Sequence, residues 1–210
     1  MSPRTPVQFE GIREEKKALI MNVALEHFSD HGFHATTINH IAKHAGISKG
    51  LLYNYFKSKE ELLAAIINRS LSQIYTSFNP DRDSHLSEEE FELFIRKVFE
   101  MFREKRQFWK LIYRVMMQRG VYENLISDES SPYRVGDMPL KDFSADMMRL
   151  MTDYFIRKRE KEGPGYDPLT EMIMFSNTLK GFALTYIFAP EQYPDEYFNK
   201  TVDALIKKYR

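Results

Sequence analysis

Cysteine is absent from the 210-residue chain, and this absence excludes disulfides, thiolate metal sites and cysteine nucleophiles. Long hydrophobic runs are missing too: no stretch approaches the roughly 18 uninterrupted apolar residues of a membrane span, and the N-terminus lacks the apolar run of a signal peptide. An excess of either charge is also lacking, because 30 basic residues balance 30 acidic ones. We therefore expect a soluble, cytoplasmic protein with no membrane partner.

The stretch from Gly32 to Ile67 carries the strongest structural signal in the sequence. Its first part, Thr37–Ala45, reads as a short amphipathic helix because apolar residues recur at helical spacing at Ile38, Ile41, Ala42 and Ala45. Gly46 can supply the left-handed backbone that closes this helix, and Ser48 can cap the next one. The pattern predicts two helices joined by a tight turn, which is a helix-turn-helix.

The second helix of this pair, roughly Ser48–Tyr55, turns Leu52 and Phe56 toward the core. The residues left to face outward are donors suited to phosphates and base edges: Ser48, Lys49, Gly50, Tyr53 and Asn54. No Asp or Glu occurs between His31 and Lys59, although the whole chain is neutral. This segregated positive charge favours a nucleic-acid partner.

The pattern GFxxTTxxxIAxxAGISxGxLYxYFxSKExL, within about Ala18–Ile67, resembles the DNA-binding domain of TetR-family transcriptional regulators. The resemblance implies a double-stranded DNA operator, and we expect these contacts to it: Thr37, Ser48, Lys49, Gly50, Leu51, Tyr53, Asn54, Tyr55 and Lys59. Of these, Lys49, Tyr53 and Lys59 are expected on phosphates, and Gly50, Leu51 and Asn54 nearest the bases. It also implies a variable helical C-terminal domain that binds small molecules and dimerises.

The rest of the chain reads as helical throughout, with no strand, so the predicted fold class is all-α. We divide the whole chain into a flexible arm (1–10), a helix-turn-helix domain (11–60) and a helical regulatory and dimerisation domain (61–210). The segment Ser127–Pro139 is predicted as a loop, preceded by a short helical turn at Val121–Ile126. A long fourth helix after Ser58 runs to Asn79 and should couple the two domains mechanically.

Apolar side chains of the second domain suggest a ligand cavity and a dimer interface. The proposed cavity residues are Trp109, Tyr113, Met117, Met147, Met151, Phe175 and Asn177. The last two helices, Pro168–Ala189 and Pro194–Tyr209, are expected to form the homodimer, because the first of them is apolar on two sides. The residues proposed for this interface are Phe175, Leu179, Phe182, Tyr186, Val202 and Leu205.

Two motifs are compatible with functions other than DNA binding, namely hydrolysis and metal binding. Gly46–Gly50 matches the G-x-S-x-G nucleophile elbow, but a helix rather than a strand precedes it, and His85 is the only later histidine. Histidines at i, i+4 spacing (His27 with His31, His40 with His44) can share a metal, yet neither pair has an evident third ligand. We expect no enzyme, no metal and no cofactor.

The sequence therefore favours a homodimeric repressor that binds a near-palindromic operator and leaves it when an apolar small molecule binds. The alternative is a DNA-binding adaptor without an inducer, whose second domain binds another protein.

Overall fold

The computed structural model describes residues 6–78, 85–117 and 131–210. Within these residues the fold is helical, apart from one two-stranded hairpin. The helices are α1 (Pro6–His31), α2 (Ile38–His44), α3 (Lys49–Tyr55), α4 (Lys59–Phe78), α5 (Glu88–Glu104), α6 (Arg106–Met116), α7 (Leu140–Glu162), α8 (Pro168–Phe188) and α9 (Asp195–Tyr209). A short 3₁₀ turn, Pro190–Gln192, lies between the last two helices. The predicted all-α class is confirmed.

The expectation of no strand is wrong in one place. Within the predicted loop, β1 (Arg134–Val135) pairs antiparallel with β2 (Met138–Pro139). Gly136 makes the turn at a φ of 60°, which favours glycine. Two-residue strands are too short to show an alternating pattern, so periodicity cannot detect them. Residues 127–130 of that loop and the predicted turn at Val121–Ile126 lie outside the described residues.

Helix α1 begins five residues before the end of the predicted arm. Its first residue is Pro6, so residues 6–10 are helical, and residues 1–5 lie outside the described part of the chain. Proline at the first helical position is favourable because its missing N–H would have no partner there. Residues 6–10 of the predicted flexible arm are therefore helical.

One hydrophobic core, called here the N-terminal core, joins the helix-turn-helix to the start of the second domain. Its buried residues come from α1 to α4 and from α5 and α6: Ile20, Met21, Ala24, Phe28, Ile38, Ile41, Ala42, Leu52, Phe56, Leu62, Leu63, Ile66, Ile67, Met101, Phe108, Leu111 and Val115. Because α5 and α6 contribute to this core, the helix-turn-helix is fixed to the following helices through packing as well as through α4.

A second core, the C-terminal core, is dominated by aromatic rings from α5, α7, α8 and α9. Phe91 stacks on Tyr154 with ring centroids 4.2 Å apart, and Phe99 packs at 4.8 Å from Phe182. Such pairs add to the burial of large apolar side chains. Helix α5 begins with a capping box at Ser87, in which both hydrogen bonds are present.

Among the described helices, none combines the length and the apolar character that a membrane span requires.

Candidate DNA-binding site

Local caps fix the ends of α2 and α3, and two of them, Gly46 and Ser48, were predicted from the sequence. The Thr37 hydroxyl accepts a hydrogen bond of 3.2 Å from the His40 N–H and begins α2. Gly46 follows the end of α2 at a φ of 65°. The Ser48 hydroxyl then accepts the Leu51 N–H at 3.1 Å and begins α3. Local capping therefore fixes the angle at which α3 leaves the domain.

Helix α3 presents a polar outer face. Leu52 is fully buried in the N-terminal core, whereas Tyr53 is 43% exposed and Leu51 37% exposed. The Lys49 ammonium lies 6.0 Å from the centre of the Tyr53 ring. The other outward residues expected from the sequence, including Gly50 and Asn54, are exposed, while Thr37 is exposed at the start of α2 and Tyr55 is half-buried. The face is thus free to meet a polyanion.

Lys59 occupies a different environment from the other predicted DNA contacts. Its ammonium donates to the carbonyl oxygens of Phe33 at 2.8 Å and Thr36 at 3.0 Å, and it lies 4.4 Å from the centre of the Phe33 ring. These interactions hold the turn between α1 and α2. The buried Thr36 hydroxyl supports the same turn by donating to the Gly32 oxygen at 2.8 Å. In this structure Lys59 therefore supports the turn between α1 and α2.

Replacing Lys59 with alanine is expected to destabilise the protein. The loss of charge-assisted hydrogen bonds to buried carbonyls should lower the free energy of unfolding by about 1 to 3 kcal/mol. Chemical denaturation measures this loss, and the exposed Lys57, replaced in the same way, is the control. An unchanged free energy of unfolding together with a smaller salt dependence of DNA binding would indicate that Lys59 contacts a DNA phosphate.

Three histidines meet where α1 crosses α2. His27 Nε2 lies 2.5 Å from His44 Nδ1, and the His27 ring stacks on those of His44 and His31 with centroids 4.6 and 5.5 Å apart. Burial, followed by the neighbouring His44 and His31, lowers the pKa of His27. Within the described residues no group of three or more potential ligands could hold a metal ion.

Contacts between α1 and α6 were not foreseen from the sequence. The fully buried Ser29 donates to Gln107 Oε1 at 2.5 Å, and the Lys110 ammonium lies 2.6 Å from Asp30 Oδ1. Arg114 also donates to the Asp30 carbonyl oxygen at 2.9 Å. The Lys110 hydrogen bond holds the pKa of the Asp30 carboxyl below its ordinary value. These bonds fasten α6 to the last turn of α1, directly before the helix-turn-helix.

The seven residues proposed for a ligand cavity are not brought together around one cavity. Phe175 is buried in the C-terminal core, whereas Met117 is 69% exposed and Asn177 is also exposed. Met147 and Met151 on α7 are half-buried. Three surface cavities of about 310 to 490 Å³ occur in the described part of the chain, and none is lined by any of the seven. The apolar side chains of the second domain pack mainly in its own core.

Two of the seven, however, lie on the side of α6 that meets α8. Tyr113 donates to the Lys180 carbonyl oxygen at 3.4 Å, and its ring is 6.4 Å from that of Phe188. Trp109 packs against both cores, and its buried Nε1 has no hydrogen-bond partner among the described residues. A buried donor without a partner is uncommon in folded proteins.

The residues proposed for the dimer interface are mostly buried within one chain. Phe175, Phe182, Tyr186, Val202 and Leu205 are each no more than 8% exposed, and Leu179 is half-buried. The five buried side chains belong to the C-terminal core and are not exposed to a partner. Helix α8 has two apolar sides, and the side that was predicted to meet a partner faces inward.

The other apolar side of α8 is exposed, with Leu169 at 60%, Ile173 at 48% and Met174 at 44%. It continues onto α7, where Met148 and Ile156 are more than half exposed. The two helices are linked here, because the Thr152 hydroxyl lies 3.3 Å from the Met172 sulfur. We call this surface the α7–α8 face.

Comparison with known proteins agrees with this geometry. The family model for bacterial regulatory proteins of the tetR family matches residues 20–66, which run from α1 into α4. The HTH-type transcriptional repressor KstR2 of Mycolicibacterium smegmatis is 34% identical over 87 residues, which are 41% of this chain and 40% of that protein. The fatty acid metabolism regulator protein of Bacillus subtilis is 29% identical over 90 residues, 42% of this chain and 46% of that protein.

Similarity over the whole fold is seen with solved structures. FadR from Bacillus subtilis in complex with stearoyl-CoA has a TM-score of 0.60 at 17% identity, over 90% of this chain and 97% of that one. In sequence, the matched segments span less than half the length of the two curated relatives. The matched segment includes the capped turn and the exposed α3 described above, and residues 20–66 therefore form a helix-turn-helix domain of the TetR family.

Proposed function

We propose that the protein is a transcriptional repressor that binds a near-palindromic operator as a homodimer and is released by an apolar or amphipathic ligand. The observation that carries the DNA-binding part is the exposed, polar face of α3, within a segment from His31 to Lys59 that has no acidic residue. A helix of this kind lies in the major groove in helix-turn-helix proteins.

The exposed side chains of α3 divide by chemistry. Lys49 and Tyr53 are neighbours on this face, and we assign them to phosphates. Gly50, Leu51 and Asn54 are assigned to the base edges, Asn54 as a hydrogen-bonding group and Leu51 as an apolar contact suited to a thymine methyl. In the same proposal the remaining contacts lie at the edge of the interface: Thr37, Ser48 and Tyr55.

A second copy of this chain is the proposed occupant of the α7–α8 face. One α3 contacts few phosphates, so tight binding requires two copies at a fixed distance. The face carries apolar side chains on two adjacent helices, of which Met148, Ile156, Leu169 and Ile173 are each about half exposed or more. A surface of this kind on a two-fold axis is covered by its own copy.

Helix α6 is the proposed route between ligand and DNA. On one side it bonds to α8, through Tyr113 to the Lys180 oxygen and through Arg106 to the Ile187 oxygen at 2.9 Å. On the other side it is fastened to α1 through Lys110 and Asp30. A ligand that fits only one position of α6 against α8 shifts the population toward that position, and α1 carries the change to the helix-turn-helix.

Stearoyl-CoA is the first ligand to test, because it is bound by a structural relative in Bacillus subtilis. We expect it to lower operator affinity by about 5- to 150-fold, the usual range of coupling between two sites. Fluorescence anisotropy of a labelled operator measures the release, and quenching of Trp109, the only tryptophan, measures ligand binding. Binding without any loss of operator affinity would show that this ligand is not the inducer.

The alternative function is that of a DNA-binding adaptor without an inducer, whose second domain recruits a protein. It is favoured by the absence, in the described residues, of a cavity lined by the seven ligand candidates. Organic extraction of the purified protein separates the two functions: a small molecule that co-purifies and weakens operator binding supports a ligand-responsive repressor.

A further inference from the structure

The outer edge of the β hairpin is bonded to α4 by side chains rather than by another strand. Asn68 donates from Nδ2 to the Pro132 carbonyl oxygen at 2.9 Å and accepts the Arg134 N–H on Oδ1 at 2.8 Å. One turn later on α4, the Ser72 hydroxyl accepts the Gly136 N–H at 2.9 Å. Backbone groups at a strand edge need partners, and here α4 supplies them.

The hairpin is also joined directly to the start of α7. Strand β2 ends at Pro139 and α7 begins at the next residue, whose N–H donates to the Tyr133 oxygen at 3.0 Å. Val135 is only 3% exposed, and Tyr133 packs on the N-terminal core. The hairpin is therefore a short rigid connection between α4, which leaves the helix-turn-helix, and α7, which contributes to the α7–α8 face.

We propose that Asn68 is a positioning residue that sets the distance between the two α3 helices of the dimer. The inference rests on the proposed function, since it requires the α7–α8 face to lie on the two-fold axis. From that axis, α7 is connected to the hairpin, and the hairpin is bonded to Asn68 on α4. Helix α4 in turn is connected to the helix-turn-helix. Rigid elements joined by specific hydrogen bonds can define a distance over such a span.

An asparagine is suited to this position because its amide offers one donor and one acceptor side by side. The two groups match the carbonyl and N–H that a strand edge presents at alternate residues, as Pro132 and Arg134 do here. Aspartate keeps the acceptor but loses the donor, and alanine loses both. The two substitutions therefore give a graded series at one position.

The absence of cysteine allows a direct test by double electron–electron resonance. A single spin label at Lys57→Cys, an exposed position directly after α3, reports the distance between the two helix-turn-helix units of the full-length dimer. We expect one narrow distance distribution in this background, a distribution about twice as broad after Asn68→Ala, and an intermediate width after Asn68→Asp. Asn199→Ala, an exposed amide on α9, is the control and should leave the distribution narrow.

A second readout uses operators whose half-sites are moved apart by one or two base pairs. The ratio of the affinity for the native spacing to that for an altered spacing should fall about fivefold or more in Asn68→Ala. A dimer with a wider range of distances between its α3 helices has a lower effective concentration at the native spacing and a higher one at other spacings. Affinity for a single half-site should stay unchanged. If Asn68→Ala does not fold, Ser72→Ala removes the neighbouring bond to Gly136 and should broaden the distribution to a smaller extent.

The results separate this inference from the proposed function. A folded Asn68→Ala dimer with a narrow distribution and an unchanged spacing preference overturns the role of Asn68 alone. A labelled protein with the native Asn68 that shows no distance between copies overturns the proposed dimer, and the inference with it.

Discussion

Replacing Ile173 with aspartate is expected to convert the dimer into a monomer and to weaken operator binding by about 100-fold or more. Ile173 is 48% exposed in one chain, so a single chain can hold the new carboxylate in water. In the proposed dimer the same carboxylate lies against apolar side chains of a second copy, without a compensating charge. Sedimentation velocity measures the mass, and anisotropy with a two-half-site operator measures the affinity.

A matched control is available for this substitution. Leu93 on α5 is 53% exposed and lies outside the α7–α8 face, so Leu93→Asp should remain a dimer with full operator affinity. Phe182→Asp, by contrast, places a charge in the C-terminal core and should unfold the second domain. An Ile173→Asp protein that stays dimeric and binds the operator normally would place the interface on another surface.

Replacing Gly50 with glutamate is expected to abolish specific operator binding while leaving the fold intact. A Cβ added at Gly50 would meet nothing within 4 Å, and glycine in a helix is less favourable than alanine by about 1 kcal/mol. Stability should therefore stay the same or rise. In the complex, the added side chain would lie between α3 and the base edges, and its charge would repel the phosphates.

The opposite directions of these two effects make the substitution diagnostic. The unfolding temperature is expected to stay the same or rise, whereas operator affinity is expected to fall by at least about 100-fold, with Gly50→Ala intermediate in affinity. Gly165→Glu adds the same charge at an exposed position far along the chain and is the control. Unchanged operator affinity in Gly50→Glu would show that this part of α3 does not face DNA.

The helix-turn-helix could be predicted closely from the sequence because local interactions determine it. The caps at Thr37 and Ser48, the turn at Gly46 and the apolar spacing of α2 all involve residues within a few positions of each other. Local capping and periodicity agree here, and such consistency makes a prediction dependable.

Contacts between residues that are far apart in the chain could not be predicted from the sequence. Helix α8 has two apolar sides, and only the packing of α5 and α9 determines that Phe182 faces inward and Ile173 outward. Lys59 resembles a phosphate-binding residue, yet its partners are carbonyls 23 and 26 residues earlier in the chain. Asn68 meets a hairpin 64 residues away, and no periodic pattern encodes such a contact.

The contacts of α6 show the same limitation and affect the proposed mechanism. The sequence predicted that α4 alone would couple the two domains. In the structure, α6 also bonds to Asp30 at the end of α1 and to α8. The charges at Lys110 and Arg114 are four residues apart on one helix face, which the sequence shows, but their distant partner on α1 is revealed only by the fold.

Selection of duplexes from a random pool by the full-length protein tests the central claim most directly, namely sequence-specific DNA binding by two copies of α3. We expect the selected sequences to converge on an inverted repeat with two half-sites, to be bound by two chains, and to be lost in Gly50→Glu. Binding should weaken as salt rises, with a smaller slope in Lys49→Ala. A pool that shows no enriched sequence, or one that Gly50→Glu enriches equally, would contradict the account.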